Sequence, residues 1–211
     1  MPIQRRETCL VSCSVLKEEI RQLMKQGELN VDLVLVSKYF HTDYAQVEQN
    51  LRRVLEKTRQ RYGNIVLVYG DLCLGQNDEM KKLTEEYDIV KVNALNCVDC
   101  ILGGKGTFLT ADPQHDLMFL SPGMTDFFSH AKELMKREGV DEESLKQLFD
   151  GLQGIVLLDT LGNADKLKAE IENLDTGLQI LEIKRVGCKN VKDVVNEAIE
   201  RNKQKCSSKT I

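Results

Sequence analysis

Short apolar runs alternate with amphipathic helical stretches along most of this chain, and that alternation leaves few folds open. Strand-like segments are read at Thr8–Val15, Leu33–Ser37, Ile65–Tyr69 and Ile89–Val92. Between them lie a helix through Leu16, Ile20, Leu23 and Met24 that stops near Gly27, and a longer one from Asp43 with Val47, Leu51, Val54 and Leu55 at core spacing. A third spans Asn77–Glu86, and a short one begins near Cys97. Repeated β-α units of this kind pack as a mainly parallel sheet with helices on both faces, a Rossmann-like α/β architecture.

The rhythm breaks at Gly103–Pro122, where a glycine-rich turn, Asp112-Pro113 and a short strand Leu117–Leu120 precede Ser121-Pro122-Gly123. Helices follow at Thr125–Arg137 and Glu142–Asp150. Alternation then resumes with strand Ile155–Asp159, helix Asn163–Asn173, strand Leu178–Ile183 and helix Val191–Arg201. Ile65-Val66-Leu67-Val68 resembles Ile155-Val156-Leu157-Leu158, and each is followed by a helix, a strand and a cysteine beside an asparagine. The expectation is one α/β unit over residues 1–201, able to divide into two related Rossmann-like halves that meet near 103–125 around a cleft. Residues 202–211 read as a flexible polar tail.

A chain of 211 residues with 42% hydrophobic and 29% charged content can bury a core. The net charge of -4 excludes nucleic acid as the main partner, since phosphate binding needs a basic face. No apolar run approaches the roughly 20 residues that span a bilayer. Met1–Glu7 carries Arg5 and Arg6 but leads into a short strand rather than the apolar core of a signal peptide, so a cytoplasmic location is expected. Oligomeric state is not readable, because a half-buried helix face and a dimer face look alike in sequence.

Seven cysteines in a reducing compartment are then not a disulfide framework. Cys13, Cys73 and the pair Cys97 and Cys100 all fall just past the ends of strand-like runs. In an open α/β sheet those carboxyl ends line the ligand crevice. Thiols far apart in sequence would meet there and could bind a soft metal or an iron–sulfur cluster. Cys97-Val98-Asp99-Cys100 has the spacing that lets two sulfurs hold one metal or form a redox disulfide. His41, after the strand Leu33–Ser37, falls on the same side and is a candidate ligand. Cys9 reads as core and Cys206 as incidental; His115 and His130 read as structural.

Other chemistries lack their residues. Asp99 occupies the first glycine position of a nucleotide P-loop and Gly106 replaces its hydroxyl residue, although Lys105 could still contact an anion. No G-x-G-x-x-G follows the first strand, and neither G-x-S-x-G nor HExxH occurs. Acidic pairs such as Glu18-Glu19, Glu85-Glu86 and Glu142-Glu143 fit solvated helix faces.

Taken in order, Cys13-Ser14-Val15-Leu16-Lys17-Glu18-Glu19, Phe40-His41, Tyr69-Gly70 with Cys73, Val98-Asp99-Cys100-Ile101-Leu102-Gly103 and Ser121-Pro122-Gly123 resemble the family known as domain of unknown function 1638. The likeness spans roughly Cys9 to Asp159. That family's pattern has His where this chain has Val98, and Cys97 beside it offers sulfur instead. The resemblance implies a shared site of Cys13, His41, Cys73 and Cys100. It also implies a microbial setting near corrinoid-dependent methyl transfer, with a corrinoid protein or a methyltransferase as partner.

The functional expectation is a cytoplasmic metalloprotein in which Cys13, Cys73 and Cys100, helped by Cys97 or His41, bind an iron–sulfur cluster, the slightly preferred group, or zinc, acting in or accessory to corrinoid-dependent methyl transfer or redox metabolism. Asp99 and Lys105 would serve as supporting or substrate-binding groups. Two alternatives stand beside it: a metal-free thiol-disulfide oxidoreductase using Cys97 and Cys100, and a non-catalytic binding or assembly protein with core cysteines.

Overall fold

The computed structural model describes residues 6–208. Arg5 of the N-terminal reading and residues 209–211 of the expected tail lie outside them. The chain forms two compact units, one built from the residues up to Gly106 and from Cys188 onward, the other from Thr107–Gly187.

In the first unit, β1 (Thr8–Cys13), β2 (Asp32–Val36), β3 (Asn64–Val68) and β4 (Val90–Lys91) form a four-stranded sheet in the order β2-β1-β3-β4. Every pairing is parallel. Helices α1 (Lys17–Lys25), α2 (Tyr44–Arg59), α3 (Glu79–Glu86) and α4 (Cys97–Leu102) alternate with these strands. β1 is buried along its whole length, as a central strand of a parallel sheet covered on both faces must be.

The chain leaves β1 for β2 on one side and later comes back to β3 on the other. Right-handed crossovers therefore place α1 on one face and α2 with α3 on the opposite face. An ion pair between Arg52 and Glu86 ties α2 to the end of α3. The carboxyl ends of β1 and β3 thus bound a topological switch point, the place where doubly wound sheets open a crevice.

In the second unit, β5 (Leu117–Leu120), β6 (Gly154–Asp159) and β7 (Ile180–Arg185) form a three-stranded parallel sheet in sequence order. It carries α5 (Thr107–Ala111), α6 (Pro122–Arg137), α7 (Glu142–Gln147) and α8 (Ala164–Glu172). β6 is fully buried, whereas the edge strand β7 is largely exposed.

The last helix, α9 (Lys189–Ser207), returns to the first unit and packs on β3, β4, α1 and α4. It runs past Arg201, where the sequence periodicity ended it, and carries a buried Asn202. β4 is shorter than the run Ile89–Val92 implied, since only Val90 and Lys91 pair with β3. Asp88, in the left-handed region at φ 56°, sets the start of the strand. The Lys91 ammonium then bonds the carbonyls of Val92 and Ala94 as the chain turns away. The α/β Rossmann-like class read from the alternation is the fold observed, with its strands divided between two sheets.

Candidate metal centre

Cys13 is the last residue of β1, and its sulfur accepts a hydrogen bond from the Val15 amide at 3.5 Å, capping a 3-10 turn at Ser14–Leu16. The Ser14 hydroxyl oxygen accepts the Lys38 amide at 2.8 Å. That bond clamps the turn after β1 to the turn Lys38–Thr42 after β2. The clamp delivers His41: its Nε2 stands 3.3 Å from the Cys13 Sγ.

A second pair of turns supplies the remaining thiols. After β3 the chain passes through Tyr69-Gly70 into a 3-10 turn at Asp71–Leu74, which carries Cys73. The amides of Asp71 and Leu72 donate to the carbonyls of Ala94 and Leu95, each at 2.9 Å, zipping this turn to the segment after β4. Gly70 is required there, because a Cβ would fall 2.2 Å from the Leu95 carbonyl oxygen and 2.4 Å from the Asn96 amide. Asn96 then caps α4 by accepting the Asp99 amide at 3.0 Å. Cys97 and Cys100, three residues apart, share one face of that helix.

Asp99 is fully buried, and its carboxylate accepts the amides of Leu95 at 2.8 Å and Gly106 at 2.9 Å. It brackets the loop that holds α4 in place. Lys105 is half exposed and pairs with Asp71 at 2.8 Å; Asp71 also takes Lys91 at 2.7 Å. Burial works to raise the Asp71 carboxyl, but the bonds from Lys105 and Lys91 overcome it and hold the group below the ordinary carboxylate value.

Burial dominates the thiols. It pushes Cys13 up to about 12, against a contribution from the Val15 amide, with Cys73 adding repulsion and Lys38 easing it. Cys100 rises to about 12 and Cys73 to about 11, also through burial first, with Lys91 partly offsetting both. Cys97 is pushed well up by burial and then by Cys73, Cys13 and Cys100. These couplings show four sulfurs near one another. Burial also lowers His41, so its imidazole is neutral at physiological pH.

Five of the sequence-derived candidates, Cys13, His41, Cys73, Cys97 and Cys100, therefore come together beside the switch point of the first unit. Among the described residues, however, no group of three or more His, Cys, Asp and Glu side chains is arranged to hold a metal ion as the structure stands. The Cys13 sulfur and the His41 ring are in direct contact, and the Cys73, Cys97 and Cys100 thiols couple electrostatically to that neighbourhood. Cys9 lies elsewhere, fully buried with its thiol on the Leu10 carbonyl. Cys188 caps α9 near Glu19 and Glu28, and Cys206 donates to the Asn64 side chain.

Sequence reasoning quoted Tyr69 within the Tyr69-Gly70 motif but gave no site role to it, to Lys38 or to Lys91. The Tyr69 ring stacks on His41, with centroids 6.1 Å apart and planes 8° from parallel. Its buried hydroxyl interacts with Cys13 and Cys73. Its signal in the sequence was the Tyr69-Gly70 step with Cys73 three residues beyond.

Fold and site together define a doubly wound α/β protein with a thiol-rich centre at its switch point. The model of a family described as a protein of unknown function (DUF1638) matches residues 35–204, and the chain belongs to that family. The match takes in His41, Cys73, Cys97 and Cys100, and begins after Cys13. No curated protein matches the chain, and no solved structure does.

Proposed function

We propose that this protein is a metalloprotein in which Cys13 and His41, completed by two thiolates from among Cys73, Cys97 and Cys100, hold a single zinc ion. The observation that carries this reading is the 3.3 Å between Cys13 Sγ and His41 Nε2. Two ligands at about 2.3 Å (sulfur) and 2.0 Å (nitrogen) from a tetrahedral zinc lie about 3.5 Å apart. The pair is thus already spaced to share one ion. Rotation of the neighbouring cysteine side chains has to supply the other ligands. The donor set fits as well: soft sulfurs with one imidazole suit zinc. Lys38 and Lys91, which already ease the Cys13, Cys73 and Cys100 thiols toward ionisation, offset the charge of several thiolates.

Zinc at such a centre would stabilise a bound thiolate at neutral pH, chemistry suited to a thiol substrate that displaces one cysteine ligand, passes its proton to that cysteine and then accepts a methyl group. A partner corrinoid protein or methyltransferase would supply that methyl group, and the reaction would belong to the cytoplasm. His41, neutral through burial, is ready to bind a cation without first losing a proton. Asp99 and Lys105 act indirectly in this reading, Asp99 by fixing the α4 loop and Lys105 by holding Asp71.

An iron–sulfur cluster held by Cys13, Cys73, Cys97 and Cys100 is the second reading, favoured by the mutual proximity of four thiols. It assigns no ligand role to His41, which stands 3.3 Å from the Cys13 sulfur. A thiol-disulfide oxidoreductase is less well supported, since an attacking cysteine needs a lowered pKa and Cys97 and Cys100 are both raised.

The test is metal analysis of protein purified without oxygen, alongside Cys13→Ser and His41→Ala. One zinc per chain, lost in both variants while circular dichroism is unchanged, is the expected result. Iron with acid-labile sulfide would move the assignment to the cluster. Protein that stays metal-free after reconstitution would overturn both.

A further inference from the structure

A tyrosine hydroxyl taken out of water without a partner carries the desolvation penalty of that group. Tyr69 is 2% exposed, and its hydroxyl oxygen has no hydrogen-bond partner among the described residues. It lies close enough to the Cys13 thiol for the two to interact, but the contact does not meet hydrogen-bond geometry. A neutral thiol is a weak acceptor, whereas a metal-bound thiolate is a strong one. The same ring lies parallel to His41, the residue that touches Cys13. One side chain therefore meets both members of the pair. Gly70 follows it immediately, and the chain there runs close against the Leu95 carbonyl.

We infer that Tyr69 is a positioning residue of the centre: its ring orients the His41 imidazole, and its hydroxyl donates to the Cys13 sulfur when that sulfur is metal-bound. The inference rests on the zinc reading and adds the outer partner that such ligands ordinarily require. It also accounts for a buried hydroxyl without a hydrogen-bond partner among the described residues.

Tyr69→Phe keeps the stack and removes only the hydroxyl. The variant and the wild-type protein are compared twice, by urea unfolding without metal and by titration with Co(II) alone. Metal-free Tyr69→Phe is expected to be at least as stable as wild type, because an unpaired buried hydroxyl has gone. Its Co(II) affinity is expected to fall about 10-fold. Its sulfur-to-cobalt charge-transfer band should move to lower energy, as the sulfur lone pair loses a hydrogen bond. Tyr69→Leu, which also removes the stack, should weaken Co(II) binding further. Identical affinity and band position in wild type and Tyr69→Phe would overturn the role of Tyr69 and leave the metal reading intact. A wild-type protein with no cobalt–thiolate band would overturn the metal reading, and this inference with it.

Discussion

Alkaline pH is expected to destabilise the metal-free protein more steeply than the loaded one. Cys13 and Cys100 rise from 9.0 to about 12 on folding, and Cys73 rises from 9.0 to about 11. Between those limits the unfolded chain has lost these protons while the folded chain retains them. Folding is then coupled to proton uptake, and stability falls as pH rises. At pH 10, one unit above the unfolded value, each thiol removes about 1.4 kcal/mol, so the three together remove about 4 kcal/mol. That is a large part of a typical domain stability of roughly 5–15 kcal/mol. In the loaded protein the metal-bound sulfurs among them are already thiolates, and for those the sign reverses. Stability rises with pH until the unfolded thiols ionise near 9, then levels for these groups. Cys9 and Cys188, raised to about 12 and about 11 by burial, contribute an alkaline loss common to both forms. The assay is urea unfolding without oxygen from pH 7.5 to 10.5, with chelator or with zinc at fixed free concentration. Parallel pH profiles in the two conditions would refute the assignment of these thiols as ligands.

Four further outcomes are expected. Gly70→Ala sets a Cβ 2.2 Å from the Leu95 carbonyl oxygen, so it should cost about 1–3 kcal/mol or more and abolish metal uptake; calorimetry with metal analysis checks both. Asp99→Ala leaves the buried amides of Leu95 and Gly106 without their acceptor and should cost about 2 kcal/mol or more, whereas a folded Asp99→Asn should keep its metal content. Asp71 is held below its ordinary value, so its contribution is complete above about pH 4 and lost as pH falls through the folded pKa; Asp71→Asn should flatten that acid limb of the stability profile. Cys9→Ala and Cys206→Ser should leave metal content unchanged, because both thiols lie outside the cluster.

Much of this architecture is legible in the chain because strands buried on both faces declare themselves. β1, β3 and β6 are continuous apolar runs, and each appears within a residue or two of its reading. The site was readable for a related reason. A cysteine just past such a run falls at the carboxyl edge of the sheet, so Cys13, Cys73 and the pair Cys97 and Cys100 converge from three separate parts of the chain. The partition into two sheets was less visible, since an apolar stripe such as that of α9 does not say which strands it covers. Tyr69 was hidden by its place at the end of an apolar run, where an aromatic reads as core. Its ring is core, and only its hydroxyl belongs to the site. Lys38 and Lys91 look like ordinary solvated charges until the fold places one beside Cys13 and the other beside Cys73 and Cys100. Gly70 carries no left-handed backbone signal; its necessity arises from a contact with residues some twenty-five positions further along the chain.

The central claim is that Cys13 and His41 bind one and the same ion, and zinc K-edge absorption on the loaded protein tests it most directly. The expected first shell combines sulfur at about 2.3 Å with one nitrogen at about 2.0 Å, accompanied by the outer-shell scattering of an imidazole. Loss of the imidazole signal in His41→Ala, with sulfur scattering retained, would complete that result. A shell of oxygen and nitrogen without sulfur, or one of sulfur alone that His41→Ala leaves unchanged, would contradict it.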